Sequence, residues 1–229
     1  MTTHTEENFK NPVAAIIFDV DGVLVDTVPF HFRAWQKVCA EEGIPFEKSD
    51  YRRINGIPRD AGVAIILQTD DTSRIREVGD RKQHYYLEFL DETPPRPLPG
   101  IIHFLNQAKE AGLRITAASS SKNAAPALMA AGLIKYFDVI ITGNDFKKPK
   151  PDPEIFLRAA NELGIAPMHA AVVEDAVNGI RAAAAGGFRS VAIANSESPD
   201  DLRKAGATTV ISTTNELTVD LFTKLQHSA

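Results

Sequence analysis

Short unbroken apolar runs recur along this chain, and most are followed by a stretch with helical spacing. The segment AAIIFDVDGVLVDT (Ala14–Thr27) begins as a strand buried on both faces. LRITAAS (Leu113–Ser119), FDVIIT (Phe137–Thr142), HAAVVED (His169–Asp175), FRSVAIA (Phe188–Ala194) and ATTVIS (Ala207–Ser212) repeat the pattern after Pro99. Between them IIHFLNQAKEAG, DPEIFLRAANELG and AVNGIRAAAAGG read as helices, each ending at a glycine, where helices commonly stop. Strands alternating with helices of this length predict an α/β fold: a Rossmann-like, doubly wound parallel sheet.

From Pro29 to about Glu92 the pattern changes. FHFRAWQKVCAEEG places Phe32, Trp35 and Cys39 on one helical face, IREVGDRKQHYYLEFLDE has a similar periodicity, and no strand interrupts them. The expected organisation is a catalytic core of residues 1–28 and 93–229 with a helical cap, 29–92, inserted after the first strand. The chain returns through the stiff segment TPPRPLPG (Thr93–Gly100). There is no internal repeat and no low-complexity tract.

Composition narrows the function classes. The 229 residues are 44% hydrophobic and 24% charged, enough to bury a full core. A net charge of -5 argues against nonspecific binding to nucleic acid or to an acidic membrane. Cys39 is the only cysteine, so neither an intrachain disulfide nor a cysteine-rich metal site can form. The polar N-terminus and a first apolar run ending at Asp19 provide no signal-peptide core and no membrane span. A cytoplasmic monomer is the expectation.

The chemistry gathers at strand ends, where open parallel sheets bind their ligands. The first strand delivers Asp19 and Asp21, the second Ser119, Ser120 and Ser121, the loop after VIIT one of Lys147, Lys148 and Lys150, and VVED ends in Glu174 and Asp175. Ionised carboxylates at the end of an apolar run are costly unless cations, hydrogen bonds or solvent compensate them. Hard oxygen donors with one or two fixed carboxylates suit Mg2+, with a phosphate completing the octahedron. In such a site Asp19 can attack phosphorus while Asp21, when protonated, supplies a proton to the leaving oxygen. A calcium-binding reading of DVDG fails: an EF-hand loop has glycine sixth and glutamate twelfth, whereas Gly22 stands fourth and Phe30 twelfth.

DVDGVLVDT, SSSKN, KPKPDP and VVEDAVNG, in this order, resemble the four signature motifs of the haloacid dehalogenase-like superfamily, and FHFRAW, GIPR and DRKQ are similar to its β-phosphoglucomutase-like family. The resemblance implies that Asp19 is the phosphorylated nucleophile and Asp21 the general acid/base, with Ser119 and Lys148 at the transferring phosphoryl group. It implies one Mg2+ per subunit at Asp19, the Asp21 backbone carbonyl and Asp175, with Glu174 supporting the site. Arg59, Ser120, Ser121 and Asn123 would contact the phosphates, with Arg59, Ser121 and Asn123 on the nonreacting one. Lys82 and Gln83 would face the sugar from the cap, Trp35 and Gly56 would line its pocket, and Thr27 and His31 would restrain Asp21 until substrate closes the cap. The implied reaction interconverts β-glucose 1-phosphate and glucose 6-phosphate through glucose 1,6-bisphosphate. A phosphatase or pyrophosphatase on the same scaffold is the alternative, and a noncatalytic sugar-phosphate binding protein a remote one.

Overall fold

In the computed structural model residues 13–54, 57–195 and 197–225 are described. The chain runs β1 (Ala15–Phe18), α1 (Val28–Glu41), α2 (Lys48–Ile54), α3 (Arg59–Leu67), α4 (Thr72–Glu92), α5 (Ile101–Glu110), β2 (Arg114–Ala118), α6 (Ala124–Ala130) and β3 (Val139–Ile141). It continues through α7 (Glu154–Glu162), β4 (Ala170–Glu174), α8 (Val177–Ala185), β5 (Arg189–Ile193), α9 (Pro199–Lys204), β6 (Thr209–Ile211) and α10 (Val219–Thr223). The six strands form one sheet in the order β3-β2-β1-β4-β5-β6, and every pairing is parallel. The expected doubly wound α/β sheet is therefore present, and each expected strand segment contains one observed strand.

The strands are largely apolar because both faces of the sheet are covered, with Arg114, Thr116, Glu174, Arg189, Ser190 and Thr209 as the polar exceptions. Alternate side chains of β1 serve different sides: Ile16 and Phe18 join Phe104, Ile115, Leu128 and Phe222, whereas Ala15 and Ile17 join Ile155, Phe156, Val172 and Ala183. The strand order reverses at β1, which pairs with β2 on one side and β4 on the other. That reversal opens a crevice at the carboxyl ends of these strands. Phe18 is level with Ala117 and Val173, so the residues just beyond them, Asp19, Ser119, Glu174 and Asp175, emerge together.

Helices α1 to α4 occupy the chain between β1 and α5 and share an apolar cluster of their own, with Trp35, Val38, Cys39, Phe46, Tyr51, Ile54, Val63 and Val78 buried in it. A second cluster, comprising Ala34, Tyr86, Phe89, Leu90 and Ala127, packs α1 and α4 against α6. The two segments leading into and out of the helices lie side by side: Asp26 N donates to Arg96 O at 3.2 Å and Leu98 N to Leu24 O at 3.0 Å. No described helix is long and apolar enough to cross a membrane.

Candidate active site

A cleft of about 840 Å3 lies where the strand ends face α1 to α4. Asp19, Asp21, Ser119, Lys150, Glu174 and Asp175 line it from the sheet side, and His31, Trp35, Arg59, Lys82 and Gln83 from the helical side. Its floor is built on β1 and β4, with Asp19 N donating to Val173 O at 2.9 Å.

The lysine of this floor is Lys150, which corrects the expectation of Lys148. Lys150 is 6% exposed and donates to Asp19 Oδ1 at 2.6 Å and to Glu174 Oε1 at 2.7 Å. The Lys148 side chain is 73% exposed, 3.7 Å from Asp152, and lies outside the lining of the cleft. Both lysines precede a proline, but the Glu154 carboxylate accepts from the backbone N–H groups of Lys147 and Lys148, which turns that part of the loop toward solvent. Two residues later the chain is back at the strand ends.

Glu174 has no oxygen to spare. Its Oε1 faces Lys150, while Oε2 accepts from the backbone N–H groups of Asp175 and Ala176, both at 2.8 Å. A Cβ on Gly179 would sit 1.8 Å from Glu174 Oε1, so only glycine at the start of α8 leaves this carboxylate room. Asp175 packs against the β1 loop as closely: a Cβ on Gly22 would be 2.6 Å from Asp175 Oδ2. Gly22 also has φ of +82°, a conformation glycine adopts without strain.

The donor set fits a hard divalent cation. Asp19 lies among Glu174, Asp21 and Asp175, and burial together with these carboxylates raises its pKa well above the ordinary value despite the opposing charge of Lys150. Added positive charge would relieve that. Among the described residues no three His, Cys, Asp or Glu side chains already form a cage. Mg2+ does not require one, because it is usually held by one or two carboxylates, with waters and substrate phosphate supplying the remaining oxygens. Asp19 and Asp175 can provide those carboxylates, with Glu174 holding Lys150 and the backbone in place.

Asp21 is restrained from several directions. Its Oδ1 accepts from Thr27 Oγ1 and lies 3.5 Å from His31 Nε2, and its Oδ2 accepts from Ser119 Oγ at 3.0 Å. Burial pushes this carboxyl up, but the hydrogen bonds from His31, Thr27 and Ser119 prevail and hold it at about 2. His31 in turn stacks on Tyr86, with ring centroids 4.1 Å apart, and its Nδ1 is 2.8 Å from Lys82 Nζ. Burial, then the Lys82 charge, pushes His31 below its usual value, while Asp21 pulls it back up. The ring thus stands between the two charges, Nδ1 facing Lys82 Nζ and Nε2 facing Asp21.

Lys82 gives a signed pH effect. Burial, with Arg59 adding to it, outweighs the attraction of Asp21 and depresses the ammonium from 10.5 to about 7. Between those values the unfolded chain holds a proton that the folded protein lacks. Stability from this group must therefore rise with pH across that window, by at most about 1.4 kcal/mol per pH unit. In urea melts at about pH 6.5 and about pH 9.5, Lys82→Met should lose ground to the unsubstituted protein as pH increases. A pH-independent difference would contradict a buried, depressed Lys82.

Beyond β2 the backbone turns through the serines into α6. Ser119 Oγ accepts from Ser121 N at 2.9 Å, and Ser121 Oγ accepts from Asn123 N at 3.1 Å. Ser120 lines the cleft, and its buried Oγ has no hydrogen-bond partner. Gln83 and Asn123 exchange two hydrogen bonds through their amides, Asn123 Nδ2 donating to Gln83 Oε1 at 2.8 Å and Gln83 Nε2 donating to Asn123 Oδ1. Arg59 lines the cleft, but its guanidinium lies between Asp60 at 2.7 Å and Asp80 at 2.9 Å. Trp35 is 5% exposed and stacks on Phe46, so it is chiefly a packing residue that shows one edge to the cleft. Gly56 falls outside the described residues. The sequence offers Lys147, Lys148 and Lys150 side by side and does not choose among them, and it gives no sign of the packing role of Gly179, although all lie in the quoted motif segments.

The haloacid dehalogenase-like hydrolase family matches residues 13–187. The β-phosphoglucomutase of Bacillus subtilis (strain 168) is 36% identical over 214 residues, spanning 90% of this chain and 92% of that protein. A phosphorylated carbohydrates phosphatase of Thermotoga maritima is 33% identical over 184 residues, 77% of this chain and 83% of the relative. The crystal structure of β-phosphoglucomutase from Clostridium difficile superposes with a TM-score of 0.83 at 31% identity, covering 91% of this chain and 95% of the other.

Proposed function

Because the chain belongs to the haloacid dehalogenase-like hydrolases and, within them, to the β-phosphoglucomutase-like family, we propose that it is a Mg2+-dependent mutase working through a phosphoaspartate at Asp19 and interconverting β-glucose 1-phosphate and glucose 6-phosphate. Residues 29–92 act as the cap over a core of 1–28 and 93–229. Mg2+, held by Asp19, the Asp21 carbonyl and Asp175, would neutralise phosphate charge and polarise the phosphorus.

The protein groups divide the remaining work. The Asp19 carboxylate attacks phosphorus and forms an acyl phosphate, while the ammonium of Lys150, 2.6 Å from Asp19 Oδ1, balances the charge gathered there. In transfer from Asp19 to the sugar, the Asp21 carboxylate removes the proton of the attacking hydroxyl, and in the transfer back to Asp19 it gives that proton to the leaving sugar oxygen. The N–H groups and hydroxyls of the Ser119–Ser121 turn provide donors to the phosphoryl oxygens. The bisphosphate then reverses in the cleft before the second transfer.

The observation that carries the mutase reading is the linkage Asp21, His31, Lys82. An acid/base held ionised through a residue of α4 is inert until the cap helices move, and this protects the phosphoenzyme from water. A phosphatase gains nothing from such restraint. One observation favours it nevertheless: Arg59 is already balanced by Asp60 and Asp80, which leaves it a poorer anchor for a second phosphate. A coupled assay decides. Given Mg2+, β-glucose 1-phosphate and a trace of glucose 1,6-bisphosphate, the mutase forms glucose 6-phosphate much faster than inorganic phosphate, and the reverse order identifies a phosphatase.

A further inference from the structure

Beyond the carboxyl end of β5 stands a side chain that lies outside the lining of the cleft yet grips the loop that carries Asp21. Asn195 Nδ2 donates to the carbonyl of Gly22 at 2.9 Å. In the sheet β4 lies between β1 and β5, so the Asn195 amide reaches past the end of β4 to the loop that follows β1. Asn195 is itself set firmly at the end of the sheet: Ala194 N donates to Ile211 O at 2.9 Å and Asn195 N to Ile193 O at 2.8 Å. The residue is exposed, and core packing gives no reason for an asparagine there.

The contact acts on the site through Gly22. The Gly22 N–H donates to Val25 O at 3.0 Å and its carbonyl accepts from Asn195, so the peptides on both sides of Gly22 are held. In a planar trans peptide the carbonyl points away from the N–H. With the Gly22 N–H on Val25, the Asp21 carbonyl is therefore fixed in the opposite direction. Gly22 also lies against Asp175, where a Cβ would come within 2.6 Å of Oδ2. A loosened Gly22 would release the Asp21 carbonyl and the Asp175 carboxylate together.

We propose that Asn195 is a positioning residue for Mg2+: by holding the Gly22 carbonyl from the end of β5, its amide fixes the Asp21 carbonyl and keeps Gly22 against Asp175. The inference rests on the Mg2+ reading above, in which these two residues are donors to the cation. A neutral amide suits the task, because it orients the loop through a directional hydrogen bond and brings no cation to compete with the metal for the carboxylates. Groups that orient metal donors without touching the metal typically contribute about 10- to 100-fold to affinity. A single bond to a peptide carbonyl from an exposed residue belongs at the lower end of that range.

The test compares Asn195→Leu, which loses the donor at similar volume, with Asn195→Gln, which keeps an amide on a longer stem. Mn2+ alone serves as the probe, because the free ion can be counted by its electron paramagnetic resonance and no substrate is needed. Asn195→Leu should weaken Mn2+ binding roughly tenfold, and Asn195→Gln should recover part of the loss. Both variants should melt at nearly the temperature of the unsubstituted protein, since the residue is exposed. Amide hydrogen exchange at Gly22, followed without metal, should quicken several-fold in Asn195→Leu. Unchanged Mn2+ affinity in Asn195→Leu would overturn the proposal. An equal loss in both variants with a lower melting temperature would overturn it as well, by making Asn195 a structural residue. If the unsubstituted protein binds no Mn2+, the Mg2+ reading fails and takes the metal role of Asn195 with it, and the exchange at Gly22 still decides whether Asn195 holds the loop.

Discussion

Asp19→Asn is expected to cut turnover of any phosphate ester by roughly 10⁴-fold or more, because the amide cannot become the acyl phosphate on which the proposed half-reactions depend. The fold should survive. In metal-free solution the buried Asp19 carboxyl is crowded by Glu174, Asp21 and Asp175. An acid whose folded pKa is raised supports the fold only in its protonated form, and that support declines as pH rises from the usual carboxylate value through the raised one. A neutral amide of the same shape escapes this decline, and Lys150 keeps Glu174 as its partner. At neutral pH the thermal midpoint of Asp19→Asn should therefore equal or exceed that of the unsubstituted protein. Catalysis and stability are opposed at this position, and a folded variant retaining near-normal turnover would remove Asp19 from the mechanism.

Lys150→Ala should be costly on both counts. It leaves two carboxylates, Asp19 and Glu174, buried without the cation that binds both. Breaking a buried pair in this way costs about 3–5 kcal/mol, far more than the measured effect of most surface substitutions. Lys148→Ala removes a solvated side chain beside Asp152 and should stay within about 0.5 kcal/mol. Urea denaturation of the two variants separates them directly. Turnover should follow the same order, with Lys150→Ala impaired even where it remains folded and Lys148→Ala close to normal. Equal behaviour of the two would contradict the geometry of the cleft floor.

What the sequence reveals and conceals has a common physical origin. The four central strands stand out because a central parallel strand is largely apolar on both faces, and the edge strands β3 and β6, though only partly buried, keep the same short apolar run. Helix α1 is equally legible from the spacing of Phe32, Trp35 and Cys39. Helices α2 and α3 are not. KSDYRRI buries only Tyr51 and Ile54, and RDAGVAIIL is apolar around much of its circumference, so neither presents a clean stripe. Asp19, Asp21, Glu174 and Asp175 were readable for the same reason as the strands: each is a carboxylate at the edge of an apolar run. Lys148 and Lys150 were not separable by that logic, since a loop has no period and each lysine precedes a proline. Asp152 stands four residues after Lys148 and partners it at the surface, but Glu154 stands at the same offset from Lys150, so the local spacing does not choose between them. The Arg59–Asp80 pair and the Gln83–Asn123 pair join residues distant in the chain. They depend on how α4 lies against α3 and α6, which no local pattern specifies.

The site also shows how glycine can be a functional requirement without touching substrate. Gly22 and Gly179 bracket the Asp175 and Glu174 carboxylates so closely that a methyl group at either would displace an oxygen. The charge arrangement of the cleft floor rests on these two absences of a side chain. Above the floor, the charge state of Asp21 depends on Thr27, His31 and Ser119. The helices thereby influence chemistry at the strand ends without contributing a nucleophile.

The proposed acyl phosphate at Asp19 can be tested directly. The protein is charged with a phosphate donor in the presence of Mg2+, quenched with borohydride, which reduces an aspartyl phosphate to homoserine, and digested for peptide mass analysis. The expected result is homoserine at position 19 alone, dependent on Mg2+ and absent from Asp19→Asn. Homoserine at position 21, or none at any position while phosphate esters are being turned over, would contradict phosphoryl transfer through Asp19.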